Sequence, residues 1–145
     1  MSELKNQLSA DLIEARKARD KVRTVCLSST LAELRNREID TGTAADDQDV
    51  LEVLTKAIKQ RRDAAEQMRA GGREELAQKE EAEAEILKRY LPEQYSPDEV
   101  RGIIQEIVDA GAPHMGAVMG QLMPRIRGRF DGKQANALVR VVMGG

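Results

Sequence analysis

MGAVMGQLMPRIRGRFDGKQANALVRVVM, Met115 to Met143, is the stretch in which helical spacing, glycine placement and one-signed charge coincide. Met115, Val118, Met119, Leu122 and Ile126 step by three and four, which puts them on one face of a helix. Gly116 and Gly120 fall on an adjoining side, where a missing side chain lets another backbone come close. Pro124 either kinks this helix or opens its last short turn, because the ring cannot donate the interior hydrogen bond. Gly128 to Gly132 makes the next turn, and Asp131 is placed to cap a final helix whose apolar face is Ala135, Leu138, Val141 and Val142. Arg125, Arg127, Arg129 and Lys133 accumulate here with Asp131 alone opposing them, and Arg140 follows. In a chain of formal net charge −2, such a cluster points to an anionic partner.

Upstream of this stretch, LPEQY (Leu91–Tyr95) marks a boundary, since Pro92 disfavours helix at the residue before it. SPDE follows at once, with Ser96 as N-cap, Pro97 at the first helical position and Glu99 closing a capping box. The helix it opens carries Val100, Ile103, Ile104, Ile107 and Val108, and ends at Ala110 and Gly111. Three short helices therefore make a tail domain over 96–145. Residues 1–92 read as a bundle of about four helices: Ser2 to about Arg19, about Lys21 to Ile39 with Asp20 as cap, one opened by Asp46, Asp47 and Asp49, and about Arg73 to Tyr90 after a stop at Ala70, Gly71 and Gly72. Expected inward positions include Val22, Val25 and Leu34 on the second helix, Leu51, Leu54 and Ile58 on the third, and Leu76, Ala84 and Leu87 on the fourth.

The fold class expected is all-α. Tyr90, Tyr95 and Phe130 are the only aromatic residues among 145, so the core must be aliphatic, and strand signals are missing. Cys26 is the single cysteine and His114 the single histidine, which removes an intramolecular disulfide and the usual zinc sites; neither metal nor cofactor is expected. No apolar run approaches a membrane span and no signal peptide is evident, so a cytoplasmic, unprocessed protein is the default expectation.

Other charged stretches have readings that need no ligand. RKARDKVR (Arg16–Arg23) is either a solvated helix junction, with cations near a helix C-terminus, or a phosphate contact. Lys56, Lys59, Arg61 and Arg62 form a secondary basic patch on the third helix. The fourth helix, with Glu74, Glu75, Glu80, Glu81, Glu83 and Glu85, is expected to pack antiparallel to it, so that the two neutralise one another along their flanks. Met115, Met119 and Met123 are either ordinary core or an adaptable surface for a protein partner. His114 reads as a capping or solvated residue rather than a catalytic one.

Four segments together resemble the freestanding YqeY family over the full length of the chain: KAIKQRRDAAEQMRAGGREELA (Lys56–Ala77), EEAEAEILKRYLPEQYS (Glu80–Ser96), MGAVMGQLMP (Met115–Pro124) and GRFDGKQANALVRVVM (Gly128–Met143). The C-terminal part of that family matches the tail domain of the GatB subunit of aminoacyl-tRNA amidotransferases. Phe130 stands where the family usually has a small residue, either as a buried plug or as a stacking surface for a nucleotide. Val142 and Met143 stand where the family tends to end in Leu.

The resemblance implies a helical bundle followed by a three-helix tail. In the larger enzyme the corresponding parts help hold tRNA while a separate cradle carries out amide transfer, a carbon–nitrogen ligase reaction with glutamine as amido-N-donor. That cradle is absent here, and the chain offers no P-loop or nucleophile–base pair, so no catalytic residue is expected. The expected role is an accessory that binds tRNA or structured RNA, not DNA or membrane, with an aminoacyl-tRNA synthetase or amidotransferase as protein partner. Arg125, Arg127, Arg129, Lys133 and Arg140 would meet phosphates, and Gly116, Gly120, Gly128 and Gly132 would permit close approach. Four or five such contacts correspond to a log–log salt slope of about −3 to −4.5. The alternative is a helical module that docks on a translation-related enzyme through protein contacts.

Overall fold

A computed structural model describes residues 2–144, which form seven α-helices joined by short connections, with no strand among the described residues. The chain divides into two compact units, Met1–Leu91 and Pro92–Gly145.

In the first unit, α1 (Glu3–Lys17), α2 (Lys21–Thr41), α3 (Asp47–Ala70) and α4 (Glu74–Lys88) surround one aliphatic core. Each of the first three starts where a side chain can satisfy an orphan N–H. Ser2 accepts from Lys5 N, Asp20 from Arg23 N, and Asp46 forms a reciprocal capping box with Asp49. Asp47 accepts from Ser2 Oγ and from Leu4 N at 3.2 Å, which ties the start of α1 to the start of α3. The α3–α4 turn closes through Gly72, whose φ of +76° is the left-handed conformation that glycine adopts without penalty, and Arg73 N bonds back to Met68 O at 2.8 Å. Leu8, Leu27, Leu34, Leu54 and Leu87 are fully buried in this core.

Several expected inward positions differ. Val22 and Val25 are exposed on α2 and Leu76 is exposed on α4, where Ala77 is buried instead. The flank-to-flank neutralisation is also narrower than expected. Arg69 pairs with Glu74 at 2.7 Å and with Glu81 at 2.5 Å near the turn, whereas Lys56, Lys59 and Arg62 have no ion pair among the described residues.

In the second unit α5 (Pro97–Asp109), α6 (Met115–Ile126) and α7 (Gly132–Val142) pack around Val100, Ile104, Val118, Leu122, Ile126 and Val139. Ser96 and Glu99 form the capping box, and Pro97 sits at the start of the helix. His114 caps α6 by accepting from Ala117 N at Nδ1, 3.1 Å away. Pro124 lies within α6, which continues to Ile126 before it ends. On α7 the inward residues are Ala135 and Val139, with Leu138 and Val142 half-buried. Val141, expected on that face, is 72% exposed.

Candidate nucleic-acid interface

The α6–α7 connection is built from a tight turn and a helix cap. Arg129 N donates to Ile126 O at 2.8 Å, Arg127 has φ −57° and ψ 125°, and Gly128 has φ +76°. These are the dihedrals of a type II turn, which demands glycine at its third position and leaves Arg127 exposed at the second. Asp131 then accepts from Gln134 N at 3.0 Å and starts α7, with Lys133 exposed on its first turn and Arg140 exposed near its end.

The five cations of this unit do not share one role. Arg127, Lys133 and Arg140 are exposed and without an ion-pair partner among the described residues. Arg125 reaches Glu106 on α5 at 3.2 Å, but both groups are largely exposed, so solvent screens the pair and its strength is small. Arg129 is different. Its Nε donates to Glu93 O at 2.8 Å, its Nη1 to Tyr95 Oη at 2.8 Å, and its guanidinium carbon lies 3.9 Å from the centre of the Tyr95 ring. Arg129, expected to meet a phosphate, has its Nε and Nη1 engaged within the fold.

The glycines also divide. A Cβ on Gly120 would meet nothing within 4 Å, and one on Gly116 would meet only the His114 ring, at 3.4 Å and beyond. Neither glycine is needed for packing within the chain, so both leave an exposed strip of α6 backbone that an external group can approach. Gly128 is required by its positive φ, and Gly132 lies against Met123, whose Cε would stand 3.3 Å from an added Cβ. Met115, Met119 and Met123 pack half-buried against the tail core, and so does Phe130. The methionine strip thus packs on the tail core while keeping part of its surface open.

The secondary patch lies in the first unit. Lys56, Lys59 and Arg62 are exposed, whereas Arg61 turns inward, donating to Ala57 O at 3.1 Å and to Ser29 Oγ at 3.2 Å. An open cleft of about 490 Å³ runs beside it between α3 and α4, but its Arg69 is already held by Glu74 and Glu81. No group of three or more metal-ligating side chains occurs among the described residues. No helix among them is long and apolar enough to cross a membrane.

Glu93, Gln94 and Tyr95 are the participants that sequence reasoning missed. An aromatic residue beside a helix start, three residues after a proline, was the available signal, but nothing local showed that its partner was Arg129.

A family model described as Yqey-like protein matches residues 5–143. Among curated relatives, Altered inheritance of mitochondria protein 41, mitochondrial, of Saccharomyces cerevisiae (strain YJM789) is 33% identical over 85 residues, 58% of this chain and 46% of that protein. The protein of the same name in Candida glabrata is 32% identical over 88 residues, covering 59% of this chain and 48% of its own length. Uncharacterized protein C22F3.15 of Schizosaccharomyces pombe is 38% identical over 85 residues, covering 59% of this chain and 69% of that protein. The chain thus spans about half the length of the mitochondrial relatives it matches.

Proposed function

The chain belongs to the Yqey-like family, and from that premise we propose that it binds tRNA or another structured RNA through its C-terminal unit, as an accessory to tRNA-dependent amidation with no catalytic centre of its own. The observation that carries this reading is the set of exposed, unpaired cations Arg127, Lys133 and Arg140 on the α6–α7 turn and α7. The unit as a whole is close to neutral: Glu93, Asp98, Glu99, Glu106, Asp109 and Asp131 balance Arg101, Arg125, Arg127, Arg129, Lys133 and Arg140. Its capacity for RNA therefore rests on where the cations sit, not on net charge. Guanidinium and ammonium groups held on a turn and a short helix suit phosphates, and the open backbone at Gly116 and Gly120 suits a sugar–phosphate chain lying close.

Amide transfer in this reading is done by a partner amidotransferase, and an aminoacyl-tRNA synthetase, which charges the tRNA, is the other candidate partner. The compartment is the reducing one in which that partner works, either cytoplasm or, as the names of the yeast relatives suggest for them, a mitochondrion.

Titration of labelled bulk tRNA against salt tests the proposal. With Arg129 engaged in the fold and Arg125 weakly paired, three to four phosphates are neutralised, giving a log–log slope of about −2 to −3.5. Replacing Arg127, Lys133 and Arg140 together by Gln is expected to leave at most the Arg125 contact and a slope between zero and about −0.9. A flat dependence in the unaltered protein rejects the proposal.

A further inference from the structure

We infer that Gln94 and Tyr95 form, with Arg129, a strap that positions the α6–α7 turn for RNA without touching the RNA; this rests on the RNA-binding reading above. Tyr95 N donates to Arg129 O at 2.8 Å, and Gln94 Nε2 donates to Gly128 O at 2.8 Å and to Pro92 O at 2.9 Å. In the opposite direction Arg129 Nε and Nη1 donate to Glu93 O and Tyr95 Oη, and the guanidinium lies over the Tyr95 ring. Both carbonyls that the turn directs at the strap belong to the residues immediately after Arg127.

The geometry has a direct consequence for Arg127. It occupies the exposed corner of a turn whose next two residues are each held by a separate side-chain or backbone donor. A two-residue turn held only by its own hydrogen bond would sample other conformations, and fixing it lowers the ordering cost when a ligand binds. The one cation of the strap, Arg129, is turned onto Glu93 O and the Tyr95 ring, and Glu93, Gln94 and Tyr95 contribute only carbonyl, amide and phenol groups. A loss of the strap should therefore weaken binding while leaving the number of phosphate contacts unchanged.

The experiment uses the full chain and fluorescein-labelled bulk tRNA, read by anisotropy over a series of salt concentrations, with circular dichroism on the same samples. Tyr95→Phe keeps the ring and removes the Oη acceptor; Gln94→Ala removes the amide; Arg129→Gln removes the guanidinium. Each is expected to weaken binding about three- to tenfold with the salt slope unchanged. Arg127→Gln serves as the contrast and should reduce the slope by about 0.7–0.9.

Unchanged affinity in Tyr95→Phe and Gln94→Ala, with salt-dependent binding by the unaltered protein, overturns the strap and leaves RNA binding standing. A slope reduced by about 0.7–0.9 in Arg129→Gln makes Arg129 a phosphate ligand and overturns the positioning role. Loss of helical signal in Tyr95→Phe also overturns it, since the phenol would then maintain the fold and nothing finer. No binding by the unaltered protein rejects both readings before any variant is made.

Discussion

Glu83 is 8% exposed on a bundle helix otherwise rich in solvated carboxylates. Burial pushes its carboxyl up from the usual range, the Arg61 charge pulls it part of the way back, and Glu80 adds to the rise. The backbone carbonyl of Glu83 accepts from the Cys26 thiol at 3.6 Å, and burial pushes that thiol up to about 11, so Cys26 is a packed group and not a nucleophile. A carboxyl whose folded pKa is raised binds its proton more tightly in the folded chain than in the unfolded one. Its contribution to stability is therefore present at low pH and lost as pH climbs from about 4.5 through the raised value. Glu83→Gln should consequently melt at a higher temperature than the unaltered protein at neutral pH, and the difference should close as pH falls below about 4.5. Melting curves at a series of pH values check this, and a difference that widens on acidification contradicts it. Glu38 behaves in the opposite sense, held below the usual range by the Ala45 N–H and Lys5, so its contribution disappears as pH falls through its depressed pKa. Neither environment was legible in the sequence, because Glu83 sits in a run of glutamates that differ only in which neighbour faces them.

Helix starts were the most legible feature at the next scale. Asp20, Asp46 with Asp49, Ser96 with Glu99, and Asp131 all cap the helices they precede, because the chemistry of a cap is local and needs no tertiary partner. Helix faces were less legible. In α7 the residues Leu138, Val139, Val141 and Val142 are all apolar, so spacing alone does not choose between Val139 and Val141, and packing against α5 and α6 buries Val139. The glycines of α6 show the same limit, since a close approach has two sides and the sequence contains one of them. Gly120 lies mid-helix with nothing within 4 Å of a Cβ, and replacement by alanine removes backbone freedom from the unfolded chain. Gly120→Ala should stabilise the protein by about 0.5–1 kcal/mol, measured by urea denaturation. If RNA backbone approaches this strip, the same variant should bind tRNA less tightly although it is more stable. A destabilised Gly120→Ala would show that this part of α6 is packed after all.

Over the whole molecule, two aliphatic cores are each closed within one unit, one among α1–α4 and one among α5–α7. Leu122 is fully buried in the second, and its truncation to alanine costs about 2–5 kcal/mol. Natural stabilities of roughly 0.05–0.15 kcal/mol per residue give a unit of about fifty residues only some 3–8 kcal/mol in total. Leu122→Ala should therefore remove much of the tail's stability while leaving the bundle's unchanged, seen in a urea series as earlier loss of dispersed amide resonances from α5–α7 alone. Simultaneous loss of both sets would mean that the units fold as one. The helical class was readable from composition and spacing, and the break before α5 coincides with Pro92, which no helix can pass through without losing a hydrogen bond. What spacing did not reveal was the contact between Tyr95 and Arg129, since each lies in a connection between helices and periodicity says nothing about connections. That contact also governs how the tail can be transplanted. A donor segment cut at Ser96, where the helix begins, would leave behind the backbone and side-chain groups that clasp Gly128 and Arg129, whereas a cut before Pro92 carries them along. The exchangeable module is thus a helix trio together with its leader peptide, and fusions spliced at the two positions should differ in function although every helix is present in both.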